Sequence, residues 1–224
     1  TKAARIILLE KSPNILPTTS HSLSIYAKKT LEKLGVEVNC STTVQNISEG
    51  LVETNTETIE AETIIWCAGV KASPTRNWIN VKTDKIGRVL VNEDLSIPGH
   101  TNIFVVGDAS YVKNKNGKPL PGLAPVAKQE GTFVAEVIKK NIRNGKIPKK
   151  FYYKNRGYLA TIGRSDAIVD FKWFTLKGRI GWIFWSIIHI YFLIGFRNRL
   201  MVFINWVWSY LTFGKGARLI IDDK

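Results

Sequence analysis

The hydrophobic pattern of the first forty residues switches between two periods. Residues 5–9 end in the unbroken apolar run Ile6-Ile7-Leu8-Leu9, which predicts a buried strand, and Glu10 followed by Ser12-Pro13-Asn14 marks a turn after it. Across residues 19–34 the apolar positions Leu23, Tyr26, Ala27, Leu31 and Leu34 recur at spacings of three and four, with Ser and Thr before them and Gly35 behind. That spacing predicts an amphipathic helix with both of its end signals. Residues 36–38 then read as a second short strand. Strand, helix and strand in this order form the repeating unit of a parallel sheet, because parallel neighbours require a crossover.

Further along, residues 51–54 and 63–66 predict two short strands separated by an acidic turn, the second ended by Ala68-Gly69. Cys67, in this apolar run, is expected to be a buried free thiol. Alternation over 87–92 and a continuous apolar run over 102–106 predict two more strands, the latter closed by Gly107-Asp108. A Lys-, Asn-, Gly- and Pro-rich loop at 113–122 leads into a predicted helix over 124–144. Its apolar face would comprise Ala127, Val134, Val137, Ile138 and Ile142, and Gly145 would stop it. Residues 158–162 and 167–171 are strand-like. Two long uncharged runs follow, at 180–196 and 200–213, bounded by Arg179, Arg197, Arg199 and Lys215.

Charge sharpens this division. The 224 residues carry a net charge of +14, which points to an anionic partner. Residues 1–127 contribute 14 basic and 12 acidic side chains, whereas residues 128–224 contribute 18 and 6. The excess therefore belongs to the second half, which also holds five of the seven Trp. With 45% hydrophobic residues the chain can bury a core, which excludes disorder. Cys40 and Cys67 are the only cysteines and form no C-x-x-C pair, which excludes a disulfide framework and a four-cysteine zinc site.

Three places carry candidate chemistry. Glu10 ends a strand of a β-α-β unit, where a carboxylate can accept hydrogen bonds from the ribose hydroxyls of an adenine dinucleotide; its local sequence fits a solvated surface glutamate more simply. Gly107-Asp108 ends a buried strand. A glycine there permits close approach of backbone to a ligand, and Asp108 would stand at the carboxyl edge of the sheet, or else cap the next turn. The run from Gly122 to Gly131 begins a helix with Pro125 in its first turn. A helix start offers unpaired N–H donors and a partial positive charge, suited to the negative charge of a reduced flavin around N1 and O2. Ala124 and Ala127 would permit close approach, Gln129 can donate or accept toward a carbonyl and Lys128 adds positive charge. The same residues also fit a Pro-initiated helix packing through its alanines.

Together these motifs resemble the type II NADH dehydrogenases, the single-subunit, non-proton-pumping NADH:quinone oxidoreductases of the two-dinucleotide-binding-domain flavoprotein superfamily. The residues that carry the resemblance are Leu8-Leu9-Glu10, Leu16-Pro17, Ile65-Trp66-Cys67-Ala68-Gly69-Val70, Phe104 to Ser110, Ala124 to Gly131, Leu159 to Arg164 and Phe196-Arg197-Asn198-Arg199. The resemblance implies an α/β fold, part of a Rossmann-like flavoprotein with a carboxyl-terminal amphipathic helical membrane anchor. Residues 1–70 would close the NADH-binding domain, 71–150 would return to the FAD-binding domain, and 151–224 would anchor the protein and contact the quinone side. It further implies that Glu10, Ala68 and Gly69 bind NADH, that Gly107, Asp108, Val126 and Ala127 bind FAD, and that Ala124, Pro125, Lys128 and Gln129 border the quinone. Many members have Gln where this chain has Pro125, which removes a hydrogen bond to the quinone from that position. The two glycine-rich dinucleotide loops and the catalytic acid near the nicotinamide are expected in an amino-terminal half that precedes this chain, so the 224 residues alone are not expected to turn over.

The tail fits the same picture. Seventeen uncharged residues reach the lower limit for a spanning helix and fourteen fall short. Trp182, Trp185, Trp206 and Trp208 framed by Arg179, Arg197, Arg199, Lys215 and Arg218 predict a helical pair in the interface, with indoles at headgroup depth and 196–199 as a turn against anionic lipid. A core hairpin and a transmembrane hairpin are the alternatives. Nucleic acid is not expected, because the aromatics lie in nearly charge-free blocks rather than among basic residues. His189 reads as a polar contact within the pair, with no metal expected. The expected setting is the cytoplasmic face of a bacterial inner membrane, or an equivalent organelle membrane, and the expected assembly a homodimer. A sulfide:quinone oxidoreductase relative and a non-catalytic membrane-docking module of the same fold are the rival readings.

Overall fold

A computed structural model describes residues 4–75, 78–143, 150–171 and 173–212. The chain divides into two compact units, one drawn from residues 1–64 and 156–224 and the other from 65–155.

The first unit opens with β1 (Ile6–Glu10), α1 (His21–Lys33) and β2 (Val36–Cys40). β1 and β2 pair in parallel, from Ile6 opposite Val36 to Glu10 opposite Cys40, the crossover unit that the periodicity predicts. β3 (Val44–Ser48), β4 (Leu51–Thr54) and β5 (Thr58–Glu60) form an antiparallel meander. β10 (Tyr158–Ile162), β11 (Asp166–Asp170) and β12 (Thr175–Lys177) form a second one, numbered after the strands of the other unit. Ile15, Leu23, Ala27, Val38, Ile162 and Ile168 make one buried cluster, so α1 packs on both β2 and the β10–β11 sheet. Two carboxylates fix it there. Asp170 accepts the Ser20 N–H at 2.8 Å, placing negative charge at the helix start, and Asp166 accepts the Tyr26 hydroxyl at 2.9 Å.

α3 (Gly178–Phe192) and α4 (Phe196–Thr212) complete this unit. α3 lies on β11, with Gly181 and Ser186 buried at the contact. A Cβ at Gly181 would fall 2.6 Å from the Ala167 carbonyl oxygen. α3 meets α4 through aromatic rings: Trp182 against Tyr210, and Trp185 stacked on Trp206 at 5.6 Å with His189 beside both. Trp182, Trp185 and Trp206 are half-buried and only Trp208 of the four is exposed, since aromatic rings gain by offset or tilted packing on one another. One expectation is corrected. Residues 196–199 form the first turn of α4 rather than the connection, which is 193–195.

The second unit holds β6 (Val89–Leu90) parallel to β9 (Ser110–Tyr111), β7 (Ser96–Ile97) antiparallel to β8 (His100–Phe104), and α2 (Ala124–Ile142). Its buried residues include Val89, Leu95, Ile97, Val126, Val134 and Phe151. β8 lies two residues earlier than the predicted 102–106 strand, since its partner β7 is only Ser96–Ile97 and the pairing ends with one further bond, from the Val105 N–H to the Leu95 carbonyl. Residues 63–66 are not a strand. They pair with no strand among the described residues, so Ile65 is 80% exposed and Cys67 is exposed rather than buried. The buried face of α2 is Val126, Glu130, Val134 and Val137, whereas Ile138 and Ile142 are exposed. Its predicted stop, Gly145, lies outside the described residues.

Gly181→Val in the full-length protein should lower the apparent melting temperature, with a cost of ~1–3 kcal/mol, because the added methyl groups meet backbone that cannot give way. Gly131→Ala, in open space on α2, should leave it unchanged or raise it. Equal melting of Gly181→Val and the wild type would contradict the helix–sheet contact described here.

Candidate flavin and dinucleotide sites

In the second unit the chain leaves β8 through Val105 and Val106 and turns at Gly107–Ala109, one turn of 3-10 helix. Gly107 has φ +70°, and a Cβ there would lie 3.3 Å from the Ala127 Cβ. Glycine serves both the left-handed conformation and the close passage of the turn over α2. The Asp108 side chain is exposed and accepts no hydrogen bond from the described residues. A Cβ at Gly122 would fall 3.0 Å from its Oδ1, so the carboxylate lies against the backbone that leads into α2.

α2 starts without a side-chain cap and without an acidic residue in its first turn, and Pro125 contributes no N–H. Its positive end is therefore not neutralised by a side chain of its own first turn. Ala124, Pro125 and Lys128 are exposed there, and Ala127 is half-buried. The sequence thus places Gly107, Asp108, Ala124, Pro125, Ala127 and Lys128 in one locality. The Val126 side chain is 3% exposed, in the core with Leu95 and Leu120, so that its backbone rather than its side chain faces the same locality as Ala127. Gln129 is engaged elsewhere: its amide donates to the Lys154 carbonyl and accepts the Lys154 N–H, both at 3.0 Å. That pair of bonds makes Gln129 a clamp on the segment around residue 154.

Glu130 is the residue that sequence reasoning passed over. It is 1% exposed. Its Oε2 accepts the Gly107 N–H at 2.5 Å and the Ser110 hydroxyl at 3.0 Å. Burial pushes the Glu130 carboxyl up from its ordinary value; the two hydrogen bonds pull it down, and the Asp108 charge adds to the upward push. A signal was present: Glu130 stands four residues after Val126 and four before Val134, a carboxylate on an apolar helix stripe.

In the first unit Glu10 ends β1 half-buried, and its Oε1 accepts the Ser12 N–H at 2.7 Å. Ser12, Asn14, Leu16, Thr19 and His21 line a cavity of about 240 Å³. Ala68 and Gly69 belong to the other unit and are exposed.

Residues 1–131 match the family model for pyridine nucleotide-disulphide oxidoreductases. The chain belongs to that family. Residues 155–215 match a second model, the NDH2 C-terminal domain. The chain is 33% identical to the type II NADH:quinone oxidoreductase NdhA of Mycobacterium tuberculosis, over 98% of its own length and 48% of that protein. To the type II NADH:quinone oxidoreductase of a Staphylococcus epidermidis strain it is 37% identical, over 73% and 42%. It spans about half the length of the M. tuberculosis relatives. Among solved structures, NDH2 from Plasmodium falciparum in complex with NADH superposes on 92% of the chain and 58% of its own, with a TM-score of 0.79 at 21% identity, which establishes a shared fold. The α/β, Rossmann-like reading of the sequence and its resemblance to type II NADH:quinone oxidoreductases both hold.

Because the folded protein holds the Glu130 proton more tightly than the unfolded chain, this group adds stability below the ordinary glutamate pKa and loses it as pH rises through the raised value. Glu130→Gln should remove that loss, so its melting temperature should gain on the wild type as pH climbs from the ordinary glutamate range through the raised value. Parallel curves over the range would show that burial does not shift this carboxyl.

Proposed function

We propose that the chain is the carboxyl-terminal part of an FAD-dependent oxidoreductase that carries electrons from NADH to a membrane quinone without pumping protons. The observation that carries the reading is the meeting of Gly107, Asp108 and Gly122 with the uncapped start of α2. These residues fit a flavin nucleotide: two glycines whose Cβ positions are crowded by Ala127 and Asp108, and an exposed carboxylate that no described residue engages. FAD, when bound, supplies the relay between a two-electron hydride donor and a quinone that leaves as quinol.

The chain's own residues orient that chemistry. Asp108 accepts hydrogen bonds from hydroxyls of the flavin's sugar-alcohol chain, and Gly107 and Ala127 let backbone come close. The positive end of α2 favours the negative charge that two-electron reduction brings. Ala124, Pro125 and Lys128 border the quinone side, with Gln129 holding the segment at Lys154 in place. Glu10, aligned by the Ser12 N–H, receives the adenosine ribose of NADH, and Ala68 and Gly69 pass beside the dinucleotides. Relatives named as type II NADH:quinone oxidoreductases support this assignment.

The acceptor side is the membrane surface, on its cytoplasmic face in bacteria or its equivalent in an organelle, with the enzyme a homodimer. Ile180, Ile183 and Ile187 on α3 and Leu200, Ile204 and Leu211 on α4 are all at least 46% exposed. An apolar stripe this long is far beyond the isolated exposed residues of an ordinary surface. α3 has 15 residues and α4 has 17, about 22 and 25 Å at 1.5 Å per residue, against a hydrocarbon core of ~30 Å. No helix among the described residues is long and apolar enough to cross a membrane. These dimensions support helices that lie in the interface.

Asp108→Ala in the full-length enzyme should purify with little or no flavin, read from the visible absorption spectrum. Full occupancy in the variant would remove Asp108 from the site, and a colourless wild type that oxidises no NADH would favour the non-catalytic docking module. Ile183→Glu with Ile204→Glu should release the enzyme from anionic vesicles in a sedimentation assay. Deleting α3 would be a poorer test, since its other face belongs to the core. Unchanged sedimentation of the double variant would overturn the anchor.

A further inference from the structure

Of the positions assigned to flavin, dinucleotide or quinone, Gly107 alone donates a hydrogen bond to the Glu130 side chain among the described residues, yet Glu130 is among the largest fully buried side chains. Its helix face is otherwise Val126, Val134 and Val137, where a leucine would complete the apolar stripe. A carboxylate withdrawn from water in such a place requires hydrogen bonds to offset its lost hydration. It has two, both in the turn that carries Asp108. The Gly107 N–H has no other partner among the described residues, and the Ser110 hydroxyl also lies 2.9 Å from the Gly107 carbonyl oxygen. The Ser110 N–H closes the turn on the Gly107 carbonyl, its one hydroxyl proton is shared between that carbonyl and Glu130, and Glu130 thereby ties both ends of the turn to α2. Asp108 stands between the two tied residues, with its carboxylate against Gly122.

We propose that Glu130 is a positioning residue for the flavin: by holding Gly107 and Ser110 through one carboxylate oxygen, it fixes the Asp108 carboxylate at the start of α2. The inference rests on the flavin reading of this site. Glu130 does not touch the ligand; it locks the distance between two elements that do. One element presents a carboxylate to hydroxyls and the other a positive helix end to an anionic ring, and a ligand that uses both requires a fixed spacing between them. A glutamine can accept the same two hydrogen bonds through its amide oxygen, whereas a leucine fills the volume and accepts none.

The test uses the full-length enzyme stripped of flavin and titrated with FAD, followed by fluorescence quenching. Glu130→Leu should weaken FAD binding by about 10-fold or more, the effect of losing a hydrogen bond to a charged group, and Glu130→Gln should stay within about 3-fold of the wild type. In a double variant with Asp108→Ala, Glu130→Leu should add no further loss, since it acts through Asp108. Hydrogen–deuterium exchange across residues 105–111 of the flavin-free protein should rise in Glu130→Leu and not in Glu130→Gln. Unchanged affinity in Glu130→Leu, equal loss in Gln and Leu variants, additive loss in the double variant, or unchanged exchange each overturns the role of Glu130. If Glu130→Leu does not fold, Ser110→Ala takes its place, and unchanged FAD affinity there overturns it equally. A wild type that binds no FAD at all overturns the flavin reading itself, a result distinct from these.

Discussion

A helix can approach a turn to van der Waals distance only where both are stripped of side chain, and the second unit is arranged around one such approach. Gly107 has left-handed backbone and no Cβ, and Ala127 offers a single methyl group to meet it. With a larger residue at either place the turn would lift away from α2. Glu130 would lose the reach to the Gly107 N–H, and Asp108 its place against Gly122. Steric room and a buried hydrogen bond thus act on the same short path. The first permits the approach, and the second makes leaving it costly, because a buried N–H without a partner forfeits ~1–3 kcal/mol.

The same locality explains how two carboxylates sit in consecutive layers without neutralising the helix end. Asp108 is exposed to water, whereas Glu130 is buried and its carboxyl is pushed above its ordinary value chiefly by that burial. The carboxylate open to a ligand is therefore that of Asp108. Glu130 works as a hydrogen-bond acceptor whose cost is set by burial, a division of labour that two identical environments would not give.

The sequence pattern made the elements legible where period and end signals coincide: α1 between its Ser and Gly35, β1 with β2, α2 after Pro125, and β10 with β11. It also placed the end of the 102–106 run at Gly107-Asp108, where the chain turns. It failed where the outcome depends on a partner distant in sequence. Residues 63–66 have the composition of a strand, but a strand requires a neighbouring ladder, which no local pattern can supply. Val105 continues an apolar run, but the strand stops beside it because its short partner β7 begins only at Ser96. Within α2 the difficulty is angular. Gln129 and Glu130 are adjacent and polar, but ~100° apart around the helix, so one reaches the Lys154 backbone and the other enters the core. Composition treats them alike; only the apolar residues at spacings of four separate them.

The basic tail shows how charge counts and structural roles part company. Arg164 donates to the Ser209 carbonyl and lies over the Tyr210 ring, Arg199 donates to the Leu193 carbonyl at 2.8 Å and lies over Tyr191, and Lys177 lies over Tyr26. These cations close helix ends and cover aromatic faces within the unit. Arg179 and Arg197 make no hydrogen bond, ion pair or ring contact with the described residues. Bonds to neutral carbonyls and rings leave the bonded cations their charge, so on the membrane reading they still add to the attraction for anionic lipid beside the apolar stripe. On the same reading α3, with 15 residues, lies along that surface rather than across a bilayer. With one face on β11 through Gly181 and another stacked on α4 through Trp185, only its isoleucine stripe remains for lipid, and a spanning helix would have to surrender the other two contacts.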